Sequence, residues 1–169
     1  MKIRTAMAGD LKELARIEAR CFPEAEAAPA EEMRRRLEVY PDHFWILEKK
    51  GKIVTFINGM ATNERIILDE MFCRAELHEE DGEWQTIFGV NTLPEYQGQG
   101  YASLVMRQVI ADAKVQGRKG CILTCKEELL PFYERFGYRN EGVSQSVHGG
   151  AVWYDMRLIF EREECKKER

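Results

Sequence analysis

Between Glu95 and Ser103 the chain reads Glu95-Tyr96-Gln97-Gly98-Gln99-Gly100-Tyr101-Ala102-Ser103, and this stretch restricts the fold more than any other. It follows an apolar, β-branched run (Thr86, Ile87, Phe88, Gly89, Val90) and precedes a helix-period run that begins at Tyr101. A strand therefore turns through a small-residue loop into a helix N-terminus. The first N–H groups of such a helix have no partner within it, and the positive end of the helix dipole lies beside them. Glycines at 98 and 100 let an anion approach that backbone closely. An ordinary turn with a glycine pair is the alternative. No Gly-Lys-Ser/Thr closes the loop, which argues against a P-loop. The dinucleotide fingerprint also fits poorly: Ser103 stands where a third glycine or alanine is needed, and the segment is not near the start of a βαβ unit.

A length of 169 residues suits one domain over 1–169, with a charged tail at 161–169. Hydrophobic residues at 44% and charged residues at 32% describe a soluble globular protein. The net charge of −4 and the lack of a basic cluster argue against a nucleic-acid partner. No apolar run has transmembrane length and no signal-peptide core is present, so a cytoplasmic protein without a membrane partner is expected. The five cysteines (21, 73, 121, 125, 165) form no scaffold spacing and read as reduced thiols. Histidines 43, 78 and 148 lie far apart in sequence, so no metal site is expected.

In chain order, a short strand at Lys2 to Thr5 precedes a helix. Asp10 and Glu13 suggest a capping box for that helix, and Leu11, Leu14, Ile17 and Cys21 form its apolar stripe. A second helix begins at Pro29, presents Met33, Leu37 and Tyr40 inward, and stops at Pro41. Residues 44–48 and 52–60 read as a hairpin through Lys49-Lys50-Gly51. Residues 62–83 carry eight acidic side chains against two arginines and read as a solvated excursion with a short helix near Ile67, Leu68, Met71 and Phe72; a lid or a lure for a cationic substrate is the other reading. A long strand follows at 84–93, then the glycine loop and a helix over about 100–116. A core strand at 121–125 and a short helix at 127–136 come next, and two antiparallel strands at 138–147 and 151–160 flank His148-Gly149-Gly150, a turn. Helices interspersed with hairpins and crossovers imply an α/β (α+β) fold with a mixed sheet and helices on both faces.

Two segments then carry a resemblance. Gln97-Gly98-Gln99-Gly100-Tyr101-Ala102 resembles the Arg/Gln-x-x-Gly-x-Gly/Ala signature of the GNAT superfamily of acetyl-CoA-dependent N-acetyltransferases, and Leu130-Pro131-Phe132-Tyr133-Glu134-Arg135-Phe136-Gly137-Tyr138 resembles its second hallmark. The run from Cys125 to Gly137 is similar to the serotonin (arylalkylamine) branch, with weaker echoes at Glu18 to Phe22 and Gly149 to Met156. The resemblance implies the GNAT fold, with a central, mostly antiparallel sheet of about six to seven strands. It also implies acetyl-CoA as co-substrate. The backbone of Gln97, Gly98, Gln99, Gly100, Tyr101, Ala102 and Ser103 would hold the pyrophosphate, and Val90, Asn91 and Thr92 would pair with the pantetheine arm like an added strand. A splayed strand end would expose an N–H to the thioester oxyanion.

The reaction so implied is direct attack of a neutral primary amine on the acetyl thioester. Tyr133 is the catalytic acid for the departing thiolate, because a phenol with a reference pKa of about 10 donates without being ionised at neutral pH. The base is missing: the places of the two relay histidines of the arylalkylamine enzymes hold Thr86 and Phe88 here. Glu70, Glu83, His78 and Glu26 are replacements to test, and water is another. Phe22, Pro29 and Trp153, with Thr86 and Phe88, mark the acceptor pocket. Cys125 reads as a buried thiol. The acceptor is a small, arylalkyl-type amine; a peptide or protein amine, or a non-catalytic acyl-CoA sensor, are the rival readings. A monomer or homodimer fits either.

Overall fold

A computed structural model describes residues 1–161, so the charged tail from residue 162 and Cys165 lie outside the described residues. Among the described residues nine strands form two sheets. The first runs β1 (Lys2–Thr5), β2 (Phe44–Lys49), β3 (Lys52–Asn58), β6 (Gly89–Thr92); the second runs β4 (Ala61–Thr62), β5 (Trp84–Ile87), β7 (Gly120–Cys125), β9 (Tyr154–Ile159), β8 (Arg139–Val143). Every ladder is antiparallel except β5–β7, which is joined by a crossover through α4 (Tyr101–Val115). The expected mixed, mostly antiparallel architecture is therefore present. The expected single strand at 84–93 is two strands: its first half pairs with β7 and its second with β3, so the sheets part at Phe88.

The β2–β3 hairpin shows how local sequence sets the framework. Lys50 and Gly51 both take positive φ (51° and 74°), the two-residue turn that matches strand twist. Along β2, Phe44 and Ile46 join the core under α1 (Leu11–Cys21) and α2 (Ala30–Val39), while Trp45 and Leu47 join the core under α4. A strand buried on both faces needs the continuous apolar run seen here. The Trp45 indole N–H donates to the Asp112 carboxylate at 2.8 Å, so its buried polar atom is satisfied.

Two local expectations are corrected. Asp10 makes no capping bond to α1; its carboxylate accepts the Met7 N–H at 2.8 Å and both Nη atoms of Arg4, which outcompete the helix end. Residues 62–83 are not a solvated excursion. Ile67, Met71 and Ala75 are buried in the core under α1 and α2, and the segment contains the single-turn α3 (Glu70–Cys73). The short helix at 127–136 resolves into a 3-10 turn and α5 (Leu130–Glu134). Among the described residues no helix is long and apolar enough to cross a membrane.

Candidate functional site

A groove opens where the sheets part. β6 lies at the edge of its sheet, with β3 on one side only. The Leu93 N–H donates to the Val54 carbonyl at 3.0 Å, and the two-residue alternation of an antiparallel ladder then turns the backbone of Val90 and Thr92 toward the open edge. Gly98 and Gly100 follow with φ of 76° and 85°, and a β-carbon at either would meet nothing within 4 Å. Gly100 caps α4 with no side-chain partner for the first-turn N–H groups. The groove, of about 630 Å³, is bordered by Val90, Thr92, Gln97, Gly98, Gly100, Tyr101, Ala102 and Ser103. Gln99 and Asn91 are not among its bordering residues. Gln99 is exposed, and the side chain of Asn91 is buried in the interior because the pleat turns it inward.

Val90, Leu129 and Tyr133 border this groove and also a second cavity of about 100 Å³. Phe22, Phe88 and Trp153 wall that cavity, joined by Phe72 and His148. Pro29 and Thr86 do not. Pro29 is the N-cap of α2, and the Thr86 hydroxyl is turned away to donate to the Met60 carbonyl at 2.9 Å. Tyr133 is 7% exposed, and burial pushes its phenol well above the ordinary value, so it stays protonated.

The cavity contains a buried pair of opposite charges that the sequence reading missed. Glu18, 4% exposed, accepts the Ala28 N–H on Oε2 at 3.1 Å, while its Oε1 has no partner. Burial raises its carboxyl above the usual range, opposed by the Ala28 N–H, by the charge of Arg36 and by the nearby Asn91 amide. Arg36 donates to Asn58 Oδ1 at 3.0 Å and to the Phe72 carbonyl at 2.9 Å, and its guanidinium stands 5.1 Å from the centre of the Phe88 ring. Arg36 Nε, Asn58 Nδ2 and Asn91 Oδ1 are likewise buried without partners. A β-carbon at Gly89 would lie 3.5 Å from both Glu18 Oε1 and Asn58 Nδ2, and 3.1 Å from Asn91 Nδ2. Glu18 Oε1 and the Asn58 and Asn91 amide nitrogens therefore converge on the space beside Gly89. A signal for them existed: Leu14, Ile17, Glu18 and Cys21, and Met33, Arg36, Leu37 and Tyr40, are apolar helical stripes each interrupted by one charge.

Three separate segments are tied together over the cavity. Asp69 accepts the Ser146 hydroxyl and, at 3.0 Å, the Val147 N–H. The His148 ring stacks on Phe72 with centroids 4.7 Å apart, and its Nε2–H donates to the Glu26 carbonyl at 2.9 Å. The Trp153 indole N–H donates to the His148 carbonyl at 2.8 Å, and Lys126 pairs with Glu26 at 2.7 Å. His148 is thus a turn residue, as read, and a wall of the cavity as well.

Of the replacement bases considered from sequence, only Glu26 reaches the cavity. Glu70 pairs with Arg74 and Glu83 with Lys119, both exposed. His78 lies elsewhere, with His43 and Glu80, and this corrects the expected scatter of the histidines: the rings of His43 and His78 are 4.7 Å apart. Ligand atoms of the three residues fall within 4.8 Å of one another, a set able to hold a metal ion. Every ring nitrogen there already has a protein partner: Gln85 and Glu80 for His43, the Ala61 N–H and Glu80 for His78. Cys125 is buried and its thiol is pushed up to about 12 by that burial, which leaves no thiolate at neutral pH. Cys21, Cys73 and Cys121 are free as well.

Residues 11–138 match the sequence profile of the acetyltransferase (GNAT) family. Among solved structures, the chain is similar to the GphF GNAT-like decarboxylase in complex with isobutyryl-CoA (22% identity over 94% of this chain and 99% of that one, TM-score 0.81). The loading GNATL domain of CurA from Lyngbya majuscula is similar to the same degree (22% identity, 94% and 96%, TM-score 0.80). The ribosomal-protein-S18-alanine N-acetyltransferase from Escherichia coli shares 16% identity over 99% of both chains, with a TM-score of 0.73. At these identities the likeness is one of fold.

Proposed function

The chain belongs to the acetyltransferase (GNAT) family, and from that premise we propose that it moves an acetyl group from acetyl-CoA to the nitrogen of a small primary amine bearing an aromatic ring. The observation that carries this reading is the junction of the two spaces. A groove lined by open main chain meets, at Tyr133, a partly open cavity with aromatic walls and a buried carboxylate. Rings of Phe22, Phe72, Phe88 and Trp153 suit an arylalkyl group, and Glu18 suits an ammonium. The family match reaches the superfamily and no further, so the arylalkylamine acceptor belongs to the proposal.

The groove residues fit an acyl-CoA. Backbone N–H groups at Gly98 to Ser103 suit a pyrophosphate, since two of these positions lack side chains and the start of α4 lacks a cap. The open edge of β6 suits the amides of a pantetheine arm. Tyr133, kept protonated by burial and bordering both spaces, suits the role of proton donor to the departing thiolate. Cys125 has no part as an acyl carrier in this scheme, given its elevated thiol.

A peptide acceptor is the second reading. The name of the Escherichia coli relative records a protein acceptor for that enzyme. Against it here stand the bonds from Asp69 and Glu26 that tie three segments over the cavity. Following thiol release from acetyl-CoA over a panel of arylalkyl amines, aliphatic amines and peptides discriminates the readings. Turnover confined to peptides favours the second. Acetyl-CoA binding without any turnover removes both and leaves a sensor.

A further inference from the structure

We propose that Glu18 is the general base of this site, taking the proton of the acceptor ammonium in the polar niche beside Gly89. This deepens the N-acetyltransferase reading and rests on it. It supplies the group that Thr86 and Phe88 cannot, one being turned away to Met60 and the other a hydrocarbon ring.

The first argument is the unsatisfied chemistry. A buried carboxylate oxygen without a hydrogen-bond partner is costly, and native interiors rarely keep one without a use. Glu18 Oε1 is such an atom, on a residue 4% exposed that borders the cavity. It does not stand alone: Asn91 Oδ1, Asn58 Nδ2 and Arg36 Nε are buried and unpartnered too. An ammonium beside Gly89 would donate to Glu18 Oε1, next to the Asn58 and Asn91 amides. A water between the same groups could also accept from Asn58.

The second argument is the balance of charge. The charged or titratable groups around Glu18 are Arg36 and Glu32 on α2, Glu26 on the loop after α1, Cys21 on its own helix, His148 on the connection before β9, and Tyr133 on α5. Glu26, the other acid whose side chain is buried at the cavity, is already paired with Lys126 at 2.7 Å, so its carboxylate is engaged. Glu18 has a single main-chain donor, and its burial strengthens its hold on a proton.

The proton balance closes. The ammonium R–NH3+ gives one proton to the Glu18 carboxylate, which later releases it to solvent. The free amine attacks the acetyl carbonyl carbon and a C–N bond forms. The C–S bond then breaks, and the thiolate takes the Tyr133 proton. The nitrogen loses its second proton, which restores the phenol. Products are the amide, free thiol and one H+.

The test is the initial rate of thiol release from acetyl-CoA with 2-phenylethylamine as acceptor, between pH 6 and 10, for the wild type, Glu18→Gln and Glu18→Asp. Glu18→Gln keeps an oxygen for the Ala28 N–H, and an unchanged KM for acetyl-CoA reports an intact groove. A base of this kind contributes roughly 10²-fold or more, so kcat/KM for the amine in Glu18→Gln should fall by about that factor at pH 7. The deficit should shrink toward the amine's own pKa, where free amine needs no base. Glu18→Asp, which keeps a carboxylate, should retain part of the rate and the shape of the wild-type profile. A Glu18→Gln profile that overlays the wild type overturns the assignment and leaves the acetyltransferase reading standing. So does Glu18→Asp losing as much as Glu18→Gln with the same pH dependence, which marks a structural role. Absence of wild-type turnover with every primary amine overturns the acetyltransferase reading itself and this inference with it.

Discussion

The rings of Phe72 and His148 lie 4.7 Å apart and only 22° from parallel, although 76 positions of sequence separate them. One comes from the acidic stretch 62–83 and the other from the turn before β9. Their contact, with the Asp69 bonds beside it, covers a cavity whose other walls come from α1, α2, the parting strands, β7 and α5. A segment that reads as solvent-facing in the sequence is thus a structural wall.

Asp69→Ala removes two bonds from that closure, to Ser146 and to the Val147 N–H. Each is a charge-assisted bond of about 1–3 kcal/mol, partly compensated by water. The expected outcome is a KM for the aromatic amine raised about tenfold, with KM for acetyl-CoA changed little. Steady-state kinetics on both substrates, together with faster amide exchange at 144–150, checks it.

Tyr133→Phe deletes the phenol and keeps the ring packing against Phe132 and Tyr138. Loss of a general acid costs roughly 10²-fold or more in kcat. Stability and substrate KM values should stay near wild type. Turnover equal to wild type removes Tyr133 from the chemistry.

Glu18 also makes a prediction about stability, opposite in sign to its effect on activity. Its folded-state carboxyl lies above the unfolded value because burial disfavours the charge. The folded state therefore binds the proton more tightly, and the favourable contribution is complete below the unfolded value and lost as pH rises through the folded one. Glu18→Gln has no such loss. The variant should melt higher than wild type at pH 7 to 8 and show a flatter pH dependence from about pH 4 upward, the reference range of a glutamate. Calorimetric melting across that range is the measurement.

Gly120 has no room for a side chain: a β-carbon would stand 1.8 Å from the Leu158 carbonyl oxygen and 2.9 Å from the Trp84 ring. Both neighbours belong to the core of the second sheet, so the β7–β9 ladder itself would have to move. Gly120→Ala should lose about 3 kcal/mol or more, the upper range for overpacking. Urea unfolding with an unchanged m-value would show this as a shifted midpoint.

Cys125 borders the cavity yet is buried against Met156, and its thiol is raised to about 12. Cys125→Ala should keep kcat within about threefold, as expected where no thiolate exists to act as nucleophile. Mass spectrometry after incubation with acetyl-CoA should find no acetyl group on Cys125. A stable adduct there would require a covalent route in place of direct attack.

What could be read from the chain itself was whatever neighbouring residues decide among themselves. The Lys50-Gly51 turn, the helical stripe of α4, the glycine loop at 98–100 and the double-sided apolar run of β2 each depend on spacing within one segment, and the structure contains all of them. Which partner a strand takes is not a local property. The run 84–93 looks like one strand because its residues are uniformly suited to one, and only competition between β3 and β7 for its backbone splits it at Phe88. The same holds for the cavity. Glu18 and Arg36 are single charges on apolar stripes until α1 and α2 pack against the strands β3 and β6 that carry Asn58, Gly89 and Asn91. Burial and charge complementarity are sums over groups distant in sequence, and those sums exist only once the chain has folded.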